Sequence, residues 1–206
     1  TPTDITENGV TMHLPIANGS IDIIYSLKPN SYILDMDVKA NNLEGFFPSN
    51  TKSMQIEWTE DMRQQEKGYD FETRYATITY RDTNGDTQEL SVTGSDAEED
   101  EFEEKAEWIA YKTQFFSQIF IADSPFSINS MSSSQLEKGS GYLKTYQTSL
   151  TTAFDTKGIK PSSFHFYLGP NKFSTLAKNE ELLASEEDLD LQSLVYMGWP
   201  VIKWIN

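Results

Sequence analysis

The stretch GSIDIIYSLKPNSYILDMDVKA, residues 19–40, decides the fold. Ile21, Ile23, Tyr25 and Leu27 recur at every second position and share one face of an extended chain. After the Lys28-Pro29-Asn30 turn, Tyr32, Leu34, Met36 and Val38 repeat that period, while Asp35, Asp37 and Lys39 point the other way. Successive side chains of a strand alternate faces, so two such runs joined by a Pro/Asn turn predict an antiparallel hairpin with one solvated face. RYATITYRDTNGDTQELSV (74–92) predicts a second hairpin around Asn84-Gly85, a pair that tolerates positive φ in a tight turn. WIAYKTQFFSQIFIA (108–122) aligns Ile109, Tyr111, Phe115, Ile119 and Ile121 on one face. GYLKTYQTSLTTAF (141–154) and SSFHFYL (162–168), with Phe164, Phe166 and Leu168 on one side, complete the strands. The fold class is mainly β, an antiparallel sandwich of roughly eight to twelve strands.

Helical periodicity is confined to the end of the chain. Pro170 suits a first helical position, with Phe173, Leu176 and Ala177 following at i, i+3, i+4 spacing. A second short helix is expected near Pro200, with Val201, Trp204 and Ile205 on one face. The chain therefore divides into a β-sandwich body over 1–169 and a C-terminal helical segment over 170–206. Within the body, the acidic run GSDAEEDEFEEK reads as a solvated loop (95–105), because like charges repel one another. The serine-rich INSMSSSQ reads as a second exposed loop (127–140).

Composition narrows the function. The chain has 206 residues and a formal net charge of -16, which would repel a phosphate backbone, so nucleic acid is not an expected partner. It has no cysteine, which removes disulfides, thiolate nucleophiles and zinc knuckles. Aromatic residues make up 13% and supply the large side chains that a packed core needs. No run of about 18 apolar residues is present, so no transmembrane helix is expected within it.

The chemical signals are weak. His13 and His165 are the proton carriers for neutral pH, and a sugar-ring acid/base site would need both beside a carboxylate. Asp35 and Asp37 sit two apart on one strand face, roughly 6.5–7 Å from each other, near the separation of paired carboxylates in glycosidases. Alternating charges on a solvated strand face are the commoner reading of that pattern. Asp82, Asn84 and Asp86 resemble the opening of a calcium loop, yet Gly85 comes one place early and no glutamate closes the loop. No catalytic, cofactor-binding or metal-ligating set emerges, and neither an enzyme activity nor a small-molecule substrate is expected. The C-terminal GWPVIKWIN stands out instead. Trp199, Val201, Ile202, Lys203, Trp204 and Ile205 form a candidate membrane-interface or partner contact, since indoles favour the membrane–water boundary. Covering one edge of the sandwich is the alternative use of these side chains.

WIAYKTQFFSQIFIAD (108–123), FHFYLGPNKFSTLA (164–177) and MGWPVIKWIN (197–206) together resemble the YidC-type membrane protein insertases. The match is narrower still: the large periplasmic domain between the first two transmembrane helices, in its Bacteroidetes form. GSIDIIYSLKPNSYILDMDVKA and MRQQEKGYDFETRYATITYR (62–81) look like the same domain. The resemblance implies a β-supersandwich of the galactose-mutarotase type, at the periplasmic face of the bacterial inner membrane. It implies short C-terminal helices leading toward a transmembrane helix beyond residue 206. Family members carry further strands before the position of Thr1, which implies an open edge or groove where those strands pair. The implied function is insertion and folding of inner-membrane proteins, alone or with the Sec translocon. The implied partners are membrane proteins under insertion, accessory subunits of the translocon, and the inner-membrane surface near the C-terminus. A carbohydrate-binding or carbohydrate-modifying sandwich is the alternative, marked by His13 and His165 converging on one carboxylate in a pocket.

Overall fold

The computed structural model describes residues 1–90, 96–99, 102, 104–183 and 188–195. The first strands are β1 (Pro2–Thr3), β2 (Gly9–Ile16), β3 (Gly19–Leu27), β4 (Ile33–Asn41), β5 (Ser53–Arg63) and β6 (Thr77–Asp82). They are followed by β7 (Thr87–Glu89), β8 (Asp96–Glu99), β9 (Ala106–Lys112), β10 (Phe116–Gln135), β11 (Tyr142–Ala153) and β12 (Ser162–Pro170). Two helices, α1 (Tyr69–Tyr75) and α2 (Phe173–Glu180), and a short 3-10 helix (Leu191–Leu194) accompany them.

The large sheet runs β1-β2-β3-β4-β12-β10-β9-β6-β7, and a smaller one runs β8-β10-β11-β5. Strand β10 belongs to both. Ser117–Ile121 pairs with β9 on one side and β12 on the other, whereas Ser127–Gln135 pairs with β11 and its Met131–Ser134 portion with β8. Asp123, Ser124 and Pro125 between them are exposed. Proline, which has no N–H to donate, fits such a break in the ladder.

The two sheets enclose one core of Ile78, Ile109, Tyr111, Phe120 and Phe164 from the large sheet, facing Met131, Tyr146 and Leu150 from the small one. Phe120 sits at its centre, stacked on Phe164 at 5.1 Å and touching Phe166 at 5.3 Å and Phe126 at 5.7 Å. Trp58 of β5 stacks on Tyr111 at 3.9 Å. The Tyr111 hydroxyl donates to the Trp58 carbonyl (2.8 Å) and shares a second bond with Thr148 Oγ1 (2.7 Å), so one phenol joins three strands across the core. A second core lies on the outer face of the large sheet. There Ile33, Trp108, Ala110, Ile119, Ile121 and Tyr167 are covered by Leu176 of α2 and by Leu191 and Leu194 of the 3-10 helix.

The 19–40 hairpin has the expected partners, with Ile23 opposite Val38 and Tyr25 opposite Met36. The 108–122 run does not form one face. Its Thr113–Phe115 turn reverses the chain, so Ile109 pairs with Phe120 and Ala110 with Ile119. Ile109 and Tyr111 enter the core between the sheets, Ile119 and Ile121 enter the second core, and Phe115 is exposed at the tip.

Three further expectations are corrected. The serine-rich stretch expected as a loop over 127–140 is strand as far as Gln135, because neighbours on both edges supply its ladder while Ile128, Met131 and Ser133 turn inward. Within the acidic run 95–105, Asp96–Glu99 forms strand β8, paired with Met131–Ser134 of β10. Phe102 packs edge-on against Tyr80 at 5.7 Å. Pro170 ends β12 instead of starting a helix: α2 begins only at Phe173, and α1 is a helix far upstream of the expected ones. The Phe120→Ala variant should lose about 3–5 kcal/mol of stability, since it removes the ring that Phe126, Phe164, Phe166 and Trp58 (6.4 Å) all pack around. A urea midpoint unchanged from the parent would contradict this placement of the core.

Candidate interaction surface

The histidines hold separate carboxylates. His13 Nδ1 on β2 lies 2.7 Å from Asp22 Oδ1 on β3, and Asn41 Nδ2 donates to the other oxygen of Asp22 at 2.8 Å. His165 on β12 lies between two others. Its Nδ1 is 2.6 Å from Asp35 Oδ1 of β4, and its Nε2 is 2.9 Å from Asp123 Oδ1 at the break in β10. Ionised carboxylates only accept, so a ring nitrogen that carries a proton donates to the carboxylate facing it. Lys28 Nζ approaches the same Asp35 oxygen at 3.5 Å. Asp35 is therefore occupied by a histidine and a lysine and does not work with Asp37 as a water-spaced pair. Among the described residues no three His, Asp or Glu side chains gather into a metal-binding group.

The calcium-like segment is a turn fastened by its own first residue. Asp82 Oδ1 accepts the backbone N–H of Asn84 (2.9 Å) and of Asp86 (3.1 Å), and Oδ2 accepts Gln88 Nε2 (2.8 Å). Gly85 closes the turn at φ +89°. Burial alone would raise the Asp82 pKa, but these hydrogen bonds outweigh it and hold the carboxyl below its ordinary value.

A hollow of about 680 Å³ is lined by Tyr69, Thr73 and Arg74 of α1 with Lys112 and Lys144. Lys144 is buried, donates to the Ala76 carbonyl at 2.8 Å, and is held below the usual lysine pKa by burial. Alternation gives no sign of it. The ladder between β11 and β5 shifts register between Tyr142 and Lys144, and Leu143 and Lys144 are both buried there.

The other end of interest is built by one asparagine. Strand β9 ends at Lys112, β10 begins at Phe116, β12 ends at Pro170 and β4 begins at Ile33, so these antiparallel neighbours bring their ends together. Asn171 fastens the β9–β10 turn. Its backbone N–H donates to the Phe115 carbonyl at 2.7 Å, its Nδ2 donates to the Thr113 carbonyl at 2.9 Å, and its Oδ1 accepts Ser117 Oγ at 2.6 Å. Phe115, Phe116, Leu168 and Tyr32 stay exposed around this clamp. Gly169 passes between two rings: a Cβ there would stand 2.8 Å from Tyr167 and from Tyr32. Val195 lines the same hollow as Phe115 and Asn171. Trp199, Val201, Ile202, Lys203, Trp204 and Ile205 lie outside the described residues, as does the short helix expected near Pro200. No helix among the described residues is long and apolar enough to cross a membrane.

A second surface is an edge. Among the described residues β5 pairs with β11 alone, leaving eleven residues with one open side. Met12 and Leu14 on β2, toward the edge of the large sheet, are also exposed.

Comparison with known proteins is consistent along the chain. The family described as the YidC periplasmic domain matches residues 3–206. The membrane protein insertase YidC of Phocaeicola vulgatus is 41% identical over 206 residues, which is 100% of this chain and 33% of that protein. The insertase of Bacteroides fragilis is 41% identical over 202 residues, 98% of the chain and 32% of the relative. That of Porphyromonas gingivalis is 32% identical over 206 residues, 100% of the chain and 33% of the relative. The chain thus spans about a third of the length of these relatives.

Two outcomes follow from the hydrogen bonds above. Asn171→Ala should cost about 1–3 kcal/mol and speed hydrogen exchange at the amides of residues 113–117, because the Thr113 carbonyl and Ser117 hydroxyl lose their partner. Unchanged exchange there would show that the clamp does not hold the turn. Asp82 has a folded pKa below its unfolded one, so its contribution is complete above about pH 4 and is lost as pH falls through the folded value. Asp82→Asn keeps an acceptor for the turn and should flatten the fall in stability below about pH 4, read from urea midpoints against pH. An equally steep fall in the variant would remove Asp82 as its source.

Proposed function

The chain belongs to the family of YidC periplasmic domains, and on that premise we propose that it is a non-catalytic domain of a membrane protein insertase. Its location follows from the family: it is a periplasmic part of a membrane protein at the inner membrane. The insertase to which it belongs inserts and folds inner-membrane proteins, alone or with the Sec translocon. Membrane proteins under insertion and accessory subunits of the translocon are its partners. The segment from Trp199 to Ile205 lies at the membrane interface, through two indoles and its aliphatic residues.

The observation that carries this reading is the family match over residues 3–206, supported by relatives that are themselves insertases. The geometry favours the non-catalytic part. A sugar-processing site would bring His13 and His165 onto one carboxylate, whereas each is committed to different ones as a tie between strands. Such ties fix a scaffold, and their partners are occupied in the resting molecule.

Photo-crosslinkers placed over the surface of this domain within the full-length insertase test the proposal. They should trap nascent membrane proteins and translocon subunits in cells. Interconversion of aldose anomers by the purified chain would overturn the non-catalytic reading. Failure of every surface position to crosslink to either class would overturn the partnership.

A further inference from the structure

We propose that the β9–β10 hairpin tip, carrying Phe115 and Phe116, is a second membrane contact that enters the headgroup–acyl boundary of the bilayer. This rests on the reading of the chain as an insertase domain and adds to it a site within the described residues. Exposed apolar residues scattered singly are ordinary. Here Phe115 is 46% exposed, Phe116 51%, Leu168 45% and Tyr32 47%, all at one end of the large sheet. They are also held out by design of the backbone. The three hydrogen bonds of Asn171 pin the turn that carries both phenylalanines, so the rings cannot fold back without breaking that clamp.

Charge selects a bilayer as the occupant. An anionic membrane repels a body of net charge -16, so any contact must use a region where the carboxylates are missing. Residues 108–122 and 161–179 contain Lys112, Lys172 and Lys178 and no Asp or Glu, although the chain holds 32 acidic residues. Three carboxylates on neighbouring elements are occupied: Glu89 by Lys112 at 2.9 Å, Asp35 by His165 and Lys28, and Glu180 by the backbone N–H groups of Asp190 and Leu191. Two rings at a turn, with Tyr32 and Lys172 exposed at the same end, have the make-up of an interfacial anchor. The position agrees. Val195, the last described residue before the segment from Trp199 to Ile205, lines one hollow with Phe115 of the tip. Together the tip and that segment give two points of attachment, which fix an orientation where a single one leaves the domain free to swing.

The chain has no cysteine, so a single nitroxide can be placed at Gln114→Cys, beside the rings and leaving both intact. A second label at Gln147→Cys, exposed on the small sheet, is the reference. On vesicles of phosphatidylcholine and phosphatidylglycerol the Gln114 label should become shielded from an aqueous nickel relaxer and accessible to oxygen, while the Gln147 label stays aqueous. The double variant Phe115→Ser, Phe116→Ser should weaken partitioning into these vesicles about tenfold and return the Gln114 label to water. Flotation with vesicles while the Gln114 label stays as aqueous as Gln147 would overturn the proposal, leaving the insertase reading intact. No flotation at all would overturn it equally. Shielding from nickel and oxygen together would mean a protein partner on the tip and would also overturn it. The crosslinking test of the insertase reading is independent of all three results.

Discussion

Strand β10 must satisfy backbone hydrogen bonds in two sheets at once, and the shape of the molecule follows from how it does so. Its first part is flanked by β9 and β12 and its second by β11 and β8, so the chain has to change neighbours within a few residues. Asp123, Ser124 and Pro125 take up that change in solvent, where an unpaired backbone group finds water and the proline has no N–H to leave unpaired. Phe120 and Phe126 stand on either side of the break, 5.7 Å apart, and close the core beneath it. The relative placement of the two sheets is thereby set by covalent continuity as well as by packing.

Polar ties then secure what the apolar core leaves free. The Tyr111 hydroxyl spans the sandwich, and burial pushes its pKa up against the opposing bond from Thr148. His165 plays the equivalent part at the surface, joining β12 to β4 and to the exposed break of β10. Directional bonds of this kind select one arrangement among several that bury similar area. The same logic operates at Asn171, where the result is a fixed exposed tip.

Strand existence was legible in the sequence because period-two alternation survives wherever one face is solvated. It fails where both faces are covered. Trp108 and Ala110 on one side and Ile109 and Tyr111 on the other are all buried, so no parity distinguishes them, and the turn at Thr113–Phe115 reversed the expected faces. Serines 130 and 132–134 carry no apolar signal, yet two neighbouring strands hold them extended. In α1 the buried residues include Glu72 and Thr73. Glu72 accepts backbone N–H groups from Gln65 and Glu66, a role invisible to hydropathy. Lys144 was hidden by a register shift and Asn171 by its place in a loop. The family was legible for another reason: ordered combinations of residues identify a lineage without revealing what each residue touches.

The order of strands has a cost in time. β4 finds its second partner in β12, and β5 finds its partner in β11, with His165 meeting Asp35 across 130 residues of chain. Neither can complete its ladder until the distant half of the chain is available, and topologies dominated by such remote pairings fold slowly. During that interval the apolar faces of β2, β3 and β5 stand open to other chains, the condition under which unpaired strands aggregate. The heavy acidic excess then acts before any native contact exists, as mutual repulsion between unfinished molecules.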